Sequence, residues 1–258
     1  MSCALMYHDI VAADDGDASG FPGRDAALYK MTPDLFARHL AAIDRRITER
    51  SLPAPILTFD DGGVSAPQAA DLLERYGFQG HFFITVNYIG RRGFLDRGAI
   101  RDLQQRGHII GSHSCSHPLR MSRCSRRQLL DEWTASRLTL ADITGTDIRI
   151  ASVPGGEYAR SVASAAAESG FTFLFTSEPT SQARSVGSLV VNGRFTVQRW
   201  TTAATAAALS TGDWLACTTQ TVTWTAKKIT KRIGGEGYLR MRKLLLRHGN
   251  EVRWGDQT

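Results

Sequence analysis

Short runs of consecutive apolar residues recur along this chain, separated by stretches in which apolar residues return every third or fourth position. The first kind suits a strand covered on both faces, the second an amphipathic helix. Cys3 to Tyr7, Ile56 to Phe59, His81 to Thr85, Ile109-Ile110, Ile148 to Val153 and Phe171 to Phe175 read as strands. Between them, Thr32-Pro33 supplies an N-cap and a first-turn proline for a helix carrying Leu35, Phe36, Leu40, Ile43 and Ile47. His39 reads as a flank residue of that helix. Residues 66 to 76 repeat the pattern with Ala69, Leu72, Leu73 and Tyr76, and Gly77 stops it. Further helices are predicted near 97 to 106, from Ser125 to Ile143 through Leu129, Leu130, Trp133, Leu138 and Leu140, and over the Ala-rich stretch ending at Ser169. Arg194 to Trp200 alternates as a last strand. Strands and helices in strict alternation imply parallel strands with helical crossovers, hence a (β/α) barrel with its chemistry at the C-terminal strand ends. Residues 13 to 30 lack periodicity and read as a long surface loop over that end.

Length and composition add little that conflicts. The 258 residues suit one large domain, and nothing in the composition marks a linker. From Ala226 onward the chain is basic and amphipathic, so 221–258 is expected to be a helical extension packed on the barrel, with peripheral contact to anionic lipid as the sharper alternative. The net charge of +6 also allows an anionic substrate. The N-terminal apolar run is interrupted by His8 and Asp9 and has no basic leader, which gives a cytoplasmic expectation. Cys3, Cys115, Cys124 and Cys217 show no Cys-x-x-Cys spacing, so neither disulfides nor a cysteine metal site is expected.

Candidate chemistry concentrates at two strand ends. Ile56-Leu57-Thr58-Phe59 stops abruptly at Asp60-Asp61-Gly62-Gly63. Adjacent carboxylates repel unless a cation or strong donors lie between them. Ile109-Ile110 leads into Gly111-Ser112-His113-Ser114-Cys115-Ser116-His117-Pro118, two histidines spaced to share one ion on a loop. Two imidazoles and one carboxylate suit zinc or a related divalent ion and leave a position open for water and substrate. Asp61, His113 and His117 fit that count.

Thr58-Phe59-Asp60-Asp61-Gly62 and His113-Ser114-Cys115-Ser116-His117 resemble the first two motifs of the polysaccharide deacetylases, the carbohydrate esterase family with the NodB homology domain. Tyr7-His8, Gly80-His81-Phe82-Phe83-Ile84 and Val153-Pro154-Gly155-Gly156 fall in the family's order, so the resemblance covers roughly residues 3 to 200. It implies an irregular (β/α) barrel with seven or eight parallel strands, with Asp60 as catalytic base and Asp61, His113 and His117 as ligands of a divalent metal ion, most simply zinc. It further implies hydrolysis of the N-acetyl group of an amino sugar in a glycan such as a cell-surface or exopolysaccharide precursor. The partner is then an N-acetylated saccharide, with Pro154, Gly155, Tyr158 and Trp200 as candidate contacts and no nucleic acid involved.

Two departures from the family pattern stand out. Its third motif usually opens with an Arg that pairs with the base, and Ser152 stands there instead. The later Leu-x-His that usually supplies the general acid has no counterpart after Trp200, which leaves His8, at the end of the first strand, as the candidate acid. These gaps keep open a catalytically inactive glycan-binding or scaffold protein as the alternative.

Overall fold

The computed structural model describes residues 3–13 and 15–229. Strand and helix alternate as the hydrophobic pattern requires: β1 (Ala4–Tyr7), α1 (Arg24–Ala27), α2 (Pro33–Glu49), β2 (Ile56–Phe59), α3 (Ala66–Arg75), β3 (Gly80–Ile84), α4 (Arg97–Gln105), β4 (Ile109–Ser112), α5 (Arg126–Thr144), β5 (Ile150–Ser152), α6 (Arg160–Glu168) and β6 (Phe173–Phe175). Then come β7 (Arg184–Val186), β8 (Leu189–Asn192), β9 (Phe195–Thr196) and α7 (Ala203–Ser210), and residues 214–229 are helical. The hairpin of β7 and β8 is not predicted by the pattern, because β7 (Arg-Ser-Val) gives no apolar run and the three apolar residues of β8 (Leu-Val-Val-Asn) stand alone without it. The long loop is interrupted by one turn of helix, α1.

The sheet runs β7-β8-β6-β5-β4-β3-β2-β1-β9, and every pairing is parallel except β7 with β8. Its curvature follows from connectivity. Laid flat, β8 and β9 would sit seven inter-strand steps apart, about 34 Å at the usual spacing. Only Gly193 and Arg194 separate them in the chain, a reach of about 11 Å. The sheet therefore curls until one segment touches both edges, pairing with β6 through Val190–Asn192 and with β1 through Phe195–Thr196. Gly193 turns the corner: a Cβ there would lie 2.3 Å from the Glu178 carbonyl oxygen. The result is the parallel, irregular barrel that the resemblance implied.

Side-chain alternation sorts two interiors. Outward, Leu5, Tyr7, Leu57, Phe59 and Phe82 are buried under the helices, with Tyr7 edge-on to Phe36 at 5.1 Å and Phe59 stacked on Phe82 at 4.9 Å. Inward, Ala4, Phe83 and Phe175 form a small separate apolar cluster with Ile56 and Ile150. Gly111 belongs to this floor, since a Cβ there would meet the Phe83 ring at 2.6 Å. The residues that continue the inward register at the C-terminal ends of β1, β2, β4 and β5 are His8, Asp60, His113 and Ser152.

Helix ends match their sequence signals. Thr32 caps α2 by accepting from Leu35 N–H, and Ser125 with Gln128 forms a capping box on α5, which Gly145 closes in the left-handed conformation. Two helix readings are corrected. His39 is fully buried rather than on a flank, bonded to the Thr201 carbonyl and the Tyr7 hydroxyl, because α2 is covered by α7. Leu138 is exposed despite its helical spacing. Most of the predicted 221–258 extension lies outside the described residues. Among the described residues, no helix is long and apolar enough to cross a membrane.

Candidate metal centre and its buried carboxylate pair

The strand ends bring Asp61, His113 and His117 together. His113 Nε2 and His117 Nε2 each lie 3.3 Å from the same oxygen, Asp61 Oδ1, and one ligand atom from each residue falls within 4.8 Å of the others. His113 Nδ1 faces the Ser152 carbonyl at 3.1 Å and the Ser152 hydroxyl at 2.9 Å. With Nδ1 as donor to Ser152, the Nε2 lone pair points at Asp61. Three lone-pair donors converging in a buried place repel one another unless the rings are protonated or a cation lies among them. The donor set fits a divalent ion with three protein ligands and an open position. Cys115, between the histidines, turns away to Asn87 Oδ1, with burial pushing its thiol pKa up.

Local backbone strain marks the same loops. Of the four non-glycine residues with positive φ among the described residues, three are Asp61 (78°), Ser114 (64°) and His117 (59°). Left-handed angles cost such residues of order 1 kcal/mol or more and persist only where the surroundings impose them. Here the surroundings do so. Glu132 of α5 accepts from the backbone N–H of Cys115 at 2.9 Å and of Ser116 at 2.8 Å, and also from the Ser116 hydroxyl. Thr85 N–H donates to the Asp61 carbonyl, and Val86 N–H to that of Ser114.

Asp60 lies beside this cluster, with Oδ2 3.9 Å from His113 Nε2, and it is paired. Arg194, wholly buried at the corner between β8 and β9, donates from Nη1 to Asp60 Oδ1 and from Nη2 to Asp60 Oδ2, both at 2.7 Å. Its remaining donors go to Thr58 Oγ1, Ser152 Oγ and the Thr176 carbonyl, so all five guanidinium N–H groups are used. The rings of Phe83 and Phe175 flank it at 5.6 and 5.9 Å. Burial works to raise the Asp60 pKa, but the charge of Arg194, then that of His113, outweighs it and the net shift is downward. Burial likewise opposes ionisation of Asp61, yet hydrogen bonds with His113 and His117 bring its pKa well below the carboxylate range. His113 is shifted up: burial lowers its pKa, while Asp60 and Asp61 more than compensate.

The other sequence candidates are more dispersed. His8 sits at the end of β1 with Nδ1 buried and without a hydrogen-bond partner among the described residues, its ring 4.7 Å from that of Tyr29. Pro154 is buried, and Gly155 (φ 66°) packs so tightly on the Leu119 carbonyl that a Cβ would lie 2.4 Å from it, which joins the β5 turn to the chain just after His117. Tyr158 turns towards β7, with the Arg184 guanidinium 4.3 Å over its ring. Trp200 is 58% exposed, and Arg199 beside it donates to the Leu28 carbonyl, next to Tyr29. Arg194, Glu132 and Phe21, whose ring lies 4.7 Å from that of His117, were not singled out from the sequence.

Residues 50–174 match the family model described as polysaccharide deacetylase. Over that stretch the chain is similar to the polysaccharide deacetylases. YxkH of Bacillus subtilis (strain 168), named as a polysaccharide deacetylase, is 27% identical over 194 residues, 71% of this chain and 67% of that protein. The peptidoglycan-N-acetylmuramic acid deacetylase PdaA of the same organism is 32% identical over 91 residues, 34% of this chain and 33% of PdaA. This chain thus spans about a third of PdaA. Among solved structures, the Streptococcus pyogenes deacetylase PplD in complex with acetate superposes with a TM-score of 0.63 at 20% identity, over 79% of this chain and 95% of that one. IcaB from Ammonifex degensii gives 0.64 at 17% identity, over 81% and 96%. These likenesses establish the deacetylase barrel fold.

Proposed function

We propose that this protein is a divalent-metal-dependent hydrolase that removes the N-acetyl group from an amino sugar of a glycan, a cell-surface or exopolysaccharide precursor. The observation that carries the reading is the convergence of Asp61, His113 and His117 beside a buried carboxylate that Arg194 keeps ionised. An ion held by those three residues, zinc in the simplest case, would supply Lewis-acid polarisation of the acetamide carbonyl and bring the pKa of water down to about 7.

The chain's own residues supply the proton traffic. Asp60 accepts a proton from the attacking water: Arg194 occupies one lone pair on each carboxylate oxygen and the Ser152 hydroxyl the second on Oδ1, which leaves acceptor capacity on Oδ2. A backbone N–H near Gly62 or Gly155 steadies the developing oxyanion. His8 gives the proton that lets the amide C–N bond break with the amine leaving neutral and acetate released; its buried, unpartnered Nδ1 supports that role. Pro154, Gly155, Tyr158 and Trp200 contact the saccharide, the exposed Trp200 offering a flat face to a sugar ring.

The test is acetate release from a panel of N-acetylhexosamine oligomers, with metal content measured in parallel. Asp60→Asn should keep the ion and lose activity by a factor on the order of 10² to 10⁴. If the unaltered protein binds an N-acetylated glycan but releases no more acetate than Asp60→Asn does, the protein is the glycan-binding alternative.

A further inference from the structure

Resting on the assignment of Asp61, His113 and His117 as the metal ligands, we propose that Phe21 is a positioning residue for His117, and that Lys30 and Asp9 exist to hold it there. The two histidines are fixed differently. His113 is oriented by hydrogen bonds from its second ring nitrogen to Ser152, whereas His117 sits on a loop at φ 59° with its ring between that of His113 at 5.1 Å and that of Phe21 at 4.7 Å. The Phe21 ring is itself held edge-on against Tyr88 at 4.8 Å and Phe94 at 5.1 Å, which pack on each other at 4.7 Å. An apolar ring in that place restricts the imidazole and keeps water off one side of the ligand, the two levers by which surroundings tune a metal site.

Phe21 belongs to a stretch with no strand and no apolar periodicity, so something must impose its position. Lys30, only 6% exposed, reaches back with its ammonium to the carbonyls of Gly16, Ser19 and Phe21 at 2.6, 2.6 and 2.7 Å, satisfying all three of its donors on backbone. Asp9, 2% exposed, ties the same loop to the one that carries Asp61: its Oδ1 accepts from Ser19 Oγ at 2.6 Å and from Ser65 Oγ at 3.1 Å. Gly20 N–H donates to the Gly93 carbonyl, which also takes Val64 N–H. Burying an ammonium and a carboxylate is costly unless both are fully engaged. Bearing that cost in a loop of otherwise ordinary composition makes sense when the loop must deliver one side chain to a defined place.

The experiment uses the full chain stripped of metal. Zinc affinity is measured by competition with a chelator, and the cobalt(II) form supplies a visible spectrum that reports ligand geometry. Phe21→Ala should weaken zinc about 10-fold, the low end of what removing an outer partner of a metal ligand costs, and should shift the cobalt bands. Phe21→Tyr should restore both. Lys30→Met should act in the same direction, and the double variant should be no weaker than the weaker single, since both act through one ring. Unchanged affinity and spectrum in Phe21→Ala overturn the proposal, as does an additive double variant. His117→Ala is the control on the site itself: if it binds zinc as the unaltered protein does, or the unaltered protein binds none, the metal assignment has failed and not merely the role of Phe21.

Discussion

Arg194 and Asp60, 134 positions apart in the chain, are joined by two parallel hydrogen bonds of 2.7 Å in a place closed to solvent. The family's usual arginine would stand at 152. Here Ser152 fills that position and instead links Asp60 Oδ1, at 3.1 Å, with His113 and with Arg194 itself. The guanidinium has been supplied from the opposite edge of the sheet, by the corner that closes the barrel.

Removing Arg194 should therefore damage stability and base together. Arg194→Met leaves a buried carboxylate unpaired, which typically costs about 3 to 5 kcal/mol, and the Asp60 pKa should rise. Arg194→Lys keeps the charge without the planar fork and should lose less stability than Met, with a clear drop in kcat. Ser152→Arg alone should overfill the site, whereas Ser152→Arg with Arg194→Ser should recover part of the loss by returning the arginine to the family's place. Urea denaturation and acetate release report the two effects. If Arg194→Met is as stable and as active as the unaltered protein, the pairing is incidental.

Glu132 should matter to metal binding without touching the ion. It takes the backbone N–H groups of Cys115 and Ser116 in the turn from His113 to His117, where the left-handed φ of Ser114 and His117 would otherwise relax. Glu132→Ala should weaken zinc about 10-fold, and Glu132→Gln, which keeps one acceptor oxygen, by less. Chelator competition measures both. Equal affinity in all three proteins would mean that the loop holds its shape unaided.

The barrel was legible because most of its elements carry uninterrupted apolar runs or clean helical spacing, and the cluster because Asp60-Asp61-Gly62 and His113 to His117 each keep together in the chain residues that meet at the strand ends. What escaped was whatever depends on distant parts of the chain meeting. Arg194 stands in the sequence as one more arginine at the start of a weak strand, and only the curl of the sheet brings it to β2. Glu132 lies on the polar side of an amphipathic helix, where a carboxylate is ordinary until the turn above it is seen. His39 looked like a flank residue because nothing local announces that α7 will cover it.

Gly63 offers a test of how the two loops are coupled. A Cβ there would lie 1.9 Å from Asp9 Oδ1 and 2.6 Å from Ser19 Oγ, so Gly63→Ala must push the buried carboxylate away. Overpacking of this kind costs about 1 to 3 kcal/mol. Asp9→Ala should also destabilise, by stripping Ser19 and Ser65 of their acceptor, yet it makes the room that the added methyl group needs. The double variant should accordingly lose less than the sum of the singles by denaturant midpoint. Strict additivity would show that Gly63 and Asp9 are not in contact.

His81 should govern part of the response to acid. It lies on the inner floor of the barrel, edge-on to Phe175 at 6.2 Å, with Nδ1 buried and unpartnered among the described residues, and burial lowers its pKa to about 4. In the unfolded chain the same imidazole titrates near 6.5. Between about pH 6.5 and pH 4 the unfolded state therefore binds more protons than the folded one, so stability rises with pH across that window and is lost as pH falls through it. The loss attributable to this residue is at most about 3 kcal/mol for a shift of that size. His81→Phe removes the titrating group and the unpaired nitrogen together, so it should unfold at a similar or higher urea midpoint at pH 7 and lose less stability on going to pH 4.5. If the variant and the unaltered protein fall in parallel over that range, the acid sensitivity of the barrel originates elsewhere and His81 is protonated, or solvated, in the folded state.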